Sequence, residues 1–165
     1  MSIELRQMVE EDLGLIANWL REPHVARWWR EDPAAELAGY RRCIDGTEPT
    51  VALVAETDGQ PVGWCQWYRW SEYPQAGQFG ARPGDLGIDY AIGAPEAVGR
   101  GLGTELVGVL VRKAWIAEPS APVLVAVDVA NTASRRVLEK NGFRLAGLRE
   151  IDCEPEELSA LYRLD

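Results

Sequence analysis

Three glycines alternate along the stretch AVGRGLGTELV, and their spacing indicates a site for an anion. Gly99, Gly101 and Gly103 are followed at once by a run of helix-forming residues. Glycine costs backbone entropy, so three in such a short stretch need a reason. A glycine-rich turn at a helix start lets backbone N–H groups point at a negative group, which the helix dipole also attracts. The spacing is neither that of a P-loop nor that of a dinucleotide fingerprint. A loop that merely ends the preceding strand is the alternative.

Two aspartates stand where a carboxylate could handle a cationic amine. Asp89 lies among apolar residues in DLGIDYAIG, where an acid is costly unless it has a partner or a task. Asp128 ends the apolar segment VLVAVD, and the carboxyl ends of parallel strands face ligand crevices. A carboxylate attracts and orients an ammonium group and can accept its proton. The alternatives are an exposed Asp89 on an edge strand and an Asp128 that caps the next helix. Asp85 and Glu72 are weaker candidates, which we expect to be solvated.

Aromatic residues gather near these acids. The chain has seven tryptophans, a high number, and two of them are the adjacent Trp28 and Trp29. In the segment GWCQWYRW the alternation of a strand places Gln66 and Tyr68 on one side, together with Trp64 and Trp70. The shared side favours one site for these residues, although core packing is a serious alternative for the tryptophans. We expect Trp28 and Trp29 to divide, one pointing inward and one outward.

The elements that position these residues follow the order β-α-α-β-β-β-α-β-α-β-β. Alternating apolar residues predict the strands, Asp58-Gly59 predicts a hairpin, and PHVARWWREDP is predicted as a loop or short helical turn. SEYPQAGQFGARPG is predicted as a long polar loop. Strand, glycine turn, helix and strand in the middle of the chain predict a parallel βαβ unit. We therefore expect an α/β fold with a mixed sheet covered by helices, as a single domain over residues 1–165.

Composition limits the kind of partner. The net charge of −9 argues against nucleic acid and anionic membranes as partners and suits a cationic partner. The alternative is that the acidity has no functional role, as in many acidic proteins. No apolar run approaches the length of a membrane span. Three distant cysteines and the single His24 have no metal-site spacing, so we expect no metal, free thiols and a cytoplasmic location. His24 is expected to be structural or exposed.

Several segments in the right order resemble the GCN5-related N-acetyltransferase superfamily. The matching pieces are the strand GIDYAI, the turn GRGLG with its helix, and NTASRRVLEKNGF. GIDYAIGAPEAVGRGLGTELV is similar to the aminoglycoside 6'-N-acetyltransferase branch, as are HVARWW, GWCQWY and VDVANTASRR. Val98 stands where the superfamily usually has Gln or Arg, a departure that leaves the backbone donors of the turn untouched.

The resemblance implies a fold and a cosubstrate. The fold is a mixed, mostly antiparallel central sheet with a splayed parallel strand pair and flanking helices. The cosubstrate is acetyl-coenzyme A (acetyl-CoA), with its pyrophosphate on the glycine turn and its pantetheine arm in the gap between the splayed strands. The implied contacts are the turn residues Arg100, Gly101, Leu102, Gly103 and Thr104, the strand residues Tyr90, Ala91 and Ile92, and the side chain of Asn131.

The resemblance also implies a substrate site. A cationic amine of an aminoglycoside would meet the acids, with Asp89 as the base-like residue and acetyl transfer direct, in one ternary complex. The implied substrate contacts are Trp28, Trp29, Gln66, Tyr68, Asp89 and Asp128. No cysteine stands in an activated-looking position, so we expect no acetyl-enzyme.

One departure bears on the reaction. The branch places a tyrosine just before Glu-Lys-x-Gly-Phe to protonate the leaving thiolate, and here that position is Leu138. Water, Ser134 or another tyrosine would have to supply the proton. The alternatives are an acyltransferase for a siderophore's lysine-like amine, one for a peptide N-terminus, and a non-catalytic acyl-CoA sensor. The chain is expected to be a monomer or a homodimer.

Overall fold

The computed structural model describes residues 2–151 and 158–165. Within these residues the chain forms one seven-stranded sheet and five α-helices. The strands are β1 (Glu4–Gln7), β2 (Val51–Thr57), β3 (Gln60–Arg69), β4 (Leu86–Ile92), β5 (Val123–Asp128), β6 (Arg144–Glu150) and β7 (Leu158–Leu164). The helices are α1 (Leu13–Trp19), α2 (Pro23–Ala26), α3 (Pro33–Asp45), α4 (Leu102–Ala117) and α5 (Thr132–Lys140). Their order is the one that the sequence predicts, with α2 as the helical turn in the Trp28–Trp29 segment.

The sheet is mixed and mostly antiparallel. Its strand order is β1-β2-β3-β4-β5-β7-β6, and β4 and β5 form the parallel pair. Parallel neighbours need a crossover, which α4 supplies. In the described chain the two strands are paired at Leu86 and Val123 alone, so the rest of β4 borders a gap. The α/β fold with a splayed parallel pair and flanking helices is therefore confirmed.

Helices cover both faces of the sheet. Trp64 of β3 stacks on Trp19 of α1, with ring centroids 5.9 Å apart, and its indole N–H donates to Tyr40 of α3 at 2.8 Å. Tyr90 lies next to Ala91, the residue paired with Trp64, and so points to the opposite face. There its hydroxyl meets Ser134 of α5. The two faces of β4 thus lie against different helices, α1 and α3 on the side of Ala91 and α5 on the side of Tyr90.

The predicted polar loop between β3 and β4 packs as a small second core. Trp70 is not part of β3, which ends at Arg69; it begins a 3-10 turn instead. Its ring contacts Phe79, with centroids 4.8 Å apart, and its indole N–H donates to the carbonyl of Leu124 in β5 at 3.0 Å. The loop therefore closes over the sheet rather than standing free.

The expectation of a solvated Asp85 is wrong. Asp85 is 2% exposed and forms a two-pronged ion pair with Arg163 of β7, with N–O distances of 2.8 and 2.9 Å. Burial favours the neutral acid, but Arg163 and the N–H of Arg82 outweigh it and hold the pKa of Asp85 below its ordinary value. Asp85 is therefore a structural anchor. Among the described residues, no helix is long and apolar enough to cross a membrane.

Candidate active site

Asp89 and Gln66 form a cross-strand pair at the centre of the site. The two residues are opposite each other in the β3–β4 register, and the Gln66 amide donates to Asp89 Oδ2 at 2.7 Å. Asp89 is half-buried. The amide fixes one carboxylate oxygen, so Asp89 is neither an unsupported acid in an apolar strand nor a freely rotating one.

Tyr68 lies on the same side and is held by its neighbours. Its ring meets those of Trp70 and Tyr73 edge-on, with centroids 5.3 and 5.1 Å away. It also lies across Gly87, where a Cβ would fall 2.3 Å from the ring. The absence of a side chain at position 87 therefore lets Tyr68 lie flat on β4, two residues from Asp89. Burial, with a smaller effect of the Asp89 charge, raises the pKa of Tyr68.

Trp28 and Trp29 divide as expected. Trp29 packs on Trp64, with ring centroids 5.2 Å apart, and so belongs to the core. The Trp28 ring lies outside this stack and carries the guanidinium groups of Arg27 and Arg30 at 5.2 and 5.9 Å from its centroid. Of the two candidate contacts, Trp28 has the ring face turned toward charged groups rather than toward the sheet.

A second acid, which the sequence reasoning missed, faces the same region. Glu36 belongs to the first turn of α3, and its pKa is raised to about 7. Burial is the main cause; the neighbouring Glu31 and the charge of Asp89 add to it, and a hydrogen bond with Tyr40 opposes it. The one sequence signal was the spacing of Glu36 and Tyr40, four residues apart on one helix face.

A cavity of about 300 Å³ opens between α3 and the sheet. Its polar lining includes three carboxylates, two tyrosine hydroxyls and the amide that supports Asp89: Glu31, Glu36, Glu48, Tyr40, Tyr73 and Gln66. Arg42 also lines it and is paired with Glu48 at 3.1 Å, so the carboxylates outnumber the one arginine of the lining. We call this space the acidic cleft. Its carboxylates suit a ligand with ammonium groups, and its aromatic hydroxyls suit one with hydroxyl groups.

Asp128 is already engaged. Its Oδ1 accepts the N–H of Ala130 at 2.8 Å, in the turn before α5, and its Oδ2 accepts the guanidinium of Arg30 at 3.0 Å. Asp128 does not cap α5, which was the alternative for this residue, because Asn131 is the N-cap of that helix. An amine could reach Asp128 only by replacing Arg30.

The glycine turn has the form of an anion site. Gly99 and Gly101 have φ of 78° and 76°, the left-handed region, and Gly101 is the N-cap of α4. No side chain caps this helix start within the described residues. The N–H groups of residues 100–104 therefore remain at the positively polarised end of a 16-residue helix. Gly103 lies inside the first helical turn, and a Cβ there would be 3.5 Å from Val137 of α5, an ordinary contact distance.

The gap beside β4 offers fewer backbone groups than expected. The carbonyl of Ala91 faces β3, where a Cβ on Gly63 would be 2.2 Å from its oxygen. The carbonyl of Ile92 is 2.9 Å from Nε2 of His24, so this histidine has a structural contact, as expected. Of the three strand residues predicted to contact the pantetheine arm, Ala91 and Ile92 thus have occupied carbonyls. The carbonyl of Tyr90 has neither of these two contacts.

Leu138 and Asn131 lie on either side of a hydroxyl pair. Leu138 is fully buried in the core and offers no proton. Tyr90 Oη lies 2.5 Å from Ser134 Oγ, joining β4 to α5 beside the gap. Burial raises the pKa of Tyr90, so the phenol keeps its proton at neutral pH. Asn131 accepts the N–H of Ser134 at 3.2 Å and caps α5.

A sheet opened between parallel strands, with an uncapped helix start at the gap and carboxylates on the other face, defines an acyltransferase that works with coenzyme A. A family model described as an acetyltransferase (GNAT) domain matches residues 8–151. The chain belongs to this family.

Relatives agree with this assignment. Aminoglycoside N(6')-acetyltransferase type 1 of Klebsiella pneumoniae is 29% identical over 88% of this chain and 76% of its own length. Lysine N-acyltransferase MbtK of Mycobacterium tuberculosis is 29% identical over 93% of this chain and 73% of its own length. The crystal structure of aminoglycoside acetyltransferase AAC(6')-Ib with coenzyme A and kanamycin has a TM-score of 0.80 at 26% identity, covering 99% of this chain and 94% of that one. The chain is an acetyl-CoA-dependent N-acetyltransferase, and the prediction of an enzyme with this cosubstrate is confirmed.

Proposed function

We propose that this enzyme transfers the acetyl group of acetyl-CoA to a primary amine of an aminoglycoside, of the 6'-amine type. The observation that carries the proposal is the acidic cleft beside the Asp89–Gln66 pair. An aminoglycoside carries several ammonium groups on hydroxylated rings, and carboxylates gathered in a cleft attract such a polycation. The relatives named for aminoglycosides support the same substrate class.

Asp89 is proposed as the residue that receives the reactive amine. A primary ammonium is mostly protonated near neutral pH, since amine pKa values are roughly 10. The Asp89 carboxylate, with its Oδ2 held by Gln66, would orient the ammonium group and take its proton, directly or through water. Tyr68 and Trp28 would give the sugar rings apolar surfaces. Gln66 is thus proposed as a positioning residue as well as a substrate contact.

The coenzyme would lie between the helix start and the gap. The N–H groups of Arg100, Gly101, Leu102, Gly103 and Thr104 fit the pyrophosphate, because no side chain of the described chain caps α4. Tyr90, Ala91, Ile92 and Asn131 border the path that the pantetheine arm would take, with Tyr90 offering the open backbone. Coenzyme A supplies the acetyl thioester, and everything else in this site positions it or handles protons.

Transfer is proposed to be direct. Asp89 passes the first proton of the ammonium group to solvent, the neutral amine attacks the acetyl carbonyl, the C–S bond breaks, and the nitrogen gives its second proton to Asp89. Burial raises the pKa of Cys43 to about 11, and burial also raises that of Cys65, so neither is a ready thiolate nucleophile. Cys153 and the acidic residues around it lie outside the described residues.

The leaving thiolate is proposed to take its proton from Tyr90, relayed through Ser134. These two hydroxyls lie within hydrogen-bond distance beside the gap, where Leu138 has none to offer. The thiolate of coenzyme A is a fair leaving group, with a thiol pKa of about 8.5, so this step assists the reaction rather than enabling it.

A lysine-type amine is the second candidate. The similarity to a lysine N-acyltransferase, at the same identity as the aminoglycoside relative, favours it. A lysine carries one side-chain ammonium and fewer positive charges than an aminoglycoside, so it makes less use of three clustered carboxylates. A peptide amine stays a further possibility for the test, and the oligomeric state, monomer or homodimer, stays a prediction.

The test is thiol release from acetyl-CoA by the purified protein with kanamycin, lysine derivatives and a peptide panel. Saturable release with kanamycin, at kcat/KM at least about 100-fold above that for lysine, is the expected result. Release with lysine or peptides alone would assign the enzyme to another acceptor. Coenzyme binding without release for any amine would contradict the proposal.

A further inference from the structure

Arg30 directly precedes Glu31, a lining residue of the acidic cleft, and its guanidinium has partners on more than one side. Its Nε donates to the carbonyl of Arg27 at 3.1 Å, and its Nη2 donates to Asp128 Oδ2 at 3.0 Å. Its guanidinium also lies 5.9 Å from the ring centroid of Trp28. These contacts orient the cation toward Asp128, although the Arg30 side chain is 47% exposed.

The ion pair occupies the part of Asp128 that a ligand could use. Asp128 is only 14% exposed, and its other oxygen is bound to the N–H of Ala130 in the turn before α5. A substrate ammonium that approaches Asp128 must therefore take the place of the Arg30 guanidinium at Oδ2.

The segment that carries Arg30 touches both groups of carboxylates. Trp29 anchors it to the sheet through Trp64. The next residue, Arg30, faces Asp128, and the one after it, Glu31, interacts with Glu36 inside the cleft. A ligand that spans the cleft from Glu36 to Asp128 would contact this segment along its length.

We propose that Arg30 is a resident cation at Asp128 which a second cation of the substrate displaces, so that Arg30 selects polycations over monoamines. This inference rests on the proposed function. The ion pair is open to solvent on its Arg30 side, which keeps its net contribution small, so an ammonium group can replace the guanidinium. A monoamine that binds at Asp89 leaves Arg30 where it is and gains nothing from Asp128. Arg30 is therefore a specificity-determining residue.

A purely structural role of Arg30 predicts the opposite change in amine affinity when Arg30 is removed. If Arg30 served only to tie the α2–α3 connection onto β5, its removal would loosen the rim of the cleft and weaken the binding of every amine. If it competes with the substrate, its removal uncovers Asp128 and strengthens the binding of polycations alone.

The experiment is calorimetric binding to the full chain with coenzyme A bound. The two ligands are kanamycin and a methyl 6-amino-6-deoxyglucoside, which carries one amine. Arg30→Ala is expected to tighten kanamycin binding by up to about fivefold, the equivalent of about 1 kcal/mol, and to leave the monoamine unchanged. Binding needs no turnover, so the result does not depend on how fast acetyl transfer is.

Two further variants make the result specific. Arg27→Ala removes the other guanidinium above Trp28 but leaves the Arg30–Asp128 pair, so kanamycin affinity should not change. In an Asp128→Asn background the gain from Arg30→Ala should vanish, because the competed group is gone. Unchanged or weaker kanamycin binding by Arg30→Ala would overturn the role of Arg30. An absence of kanamycin binding to the unmodified protein that still binds coenzyme A would instead overturn the proposed function.

Discussion

At the scale of single residues, the carboxylates of the cleft differ in how each is held. Asp89 has an amide donor on one oxygen, which fixes the orientation of the carboxylate. Glu36 is half-buried and has another carboxylate, Glu31, beside it, which favours the protonated form. The site therefore includes an acid, Glu36, whose charge changes near neutral pH.

The raised pKa of Glu36 makes stability depend on pH in a definite direction. Because the pKa rises from 4.5 to about 7 on folding, the folded protein binds this proton more tightly than the unfolded chain. Glu36 thus costs no stability below its unfolded pKa and increasingly destabilises the fold as pH rises toward 7. Glu36→Gln should raise Tm at about pH 8 and change it little at about pH 4.5. Glu96→Gln, on an exposed turn, is the control. An equal Tm change at both pH values for Glu36→Gln would contradict this reading.

Removal of the Tyr90 hydroxyl should affect the chemical step. Tyr90→Phe is expected to lower kcat by about 10- to 100-fold, at the lower end of what a general acid contributes because the thiolate leaves readily. The KM for acetyl-CoA should stay nearly constant and the solvent isotope effect on kcat should change. Tyr162→Phe removes another buried hydroxyl, one that bonds Glu139 and Arg135, and is the matched control. An unchanged kcat for Tyr90→Phe would remove this residue from the mechanism.

At the scale of elements, the coenzyme site depends on the backbone where β4 leads into α4. Gly101 adopts a left-handed conformation at the helix cap, whereas Gly103 is an ordinary helical residue. The backbone conformation therefore requires glycine at position 101, whereas position 103 has room for a Cβ.

Alanine substitutions at these two positions should give different results. A non-glycine residue in the left-handed region costs about 1–2 kcal/mol, so Gly101→Ala should shift the turn and weaken acetyl-CoA binding about 10-fold. Gly103→Ala should bind acetyl-CoA almost normally, because its φ is not positive and Val137 is at ordinary contact distance. Isothermal titration with coenzyme A measures both. Equal losses for the two variants would mean that bulk, rather than backbone conformation, limits the site.

The elements themselves could be predicted from the sequence because each has a local signal. Apolar alternation marks the strands, Asp58-Gly59 has positive φ at both residues as a tight hairpin requires, and Asn131 caps α5 as its type suggests. Asp89 stood out since it is a charge in an apolar strand.

Long-range partnerships had no such signal. Arg30 and Asp128 are 98 residues apart, and nothing in either segment points to the other. Glu36 reads as an ordinary acid in the first turn of a helix, where the dipole favours one. Asp85 looks like a loop acid until β7 brings Arg163 to it. Each role depends on the sheet order, which brings together segments from distant parts of the chain.

At the scale of the whole molecule, the net charge favours binding of a cationic acceptor and opposes binding of the anionic coenzyme. The net charge of −9 attracts a polycation and repels the anionic coenzyme, for which we propose a site at the backbone N–H groups of a helix start. The two substrates should therefore respond oppositely to salt.

Raising the ionic strength from about 0.05 to about 0.5 M should lower kcat/KM for kanamycin about 10-fold or more, since screening shortens the reach of the acidic cleft. The KM for acetyl-CoA should stay level or fall. Steady-state kinetics at constant pH measure both. A kcat/KM for kanamycin that does not depend on salt would contradict an electrostatic origin of acceptor selection.

The most direct test of the account is the effect of Asp89→Asn on acetyl transfer to kanamycin, measured with the affinity for coenzyme A in the same samples. Asparagine keeps the size of the side chain and can still bond Gln66, but it has no charge to hold an ammonium group and no capacity to take its proton. We expect Asp89→Asn to lower kcat/KM for kanamycin by about 100-fold or more and to leave the Kd for coenzyme A unchanged. A variant that retains kcat/KM within about twofold would contradict the central role of Asp89.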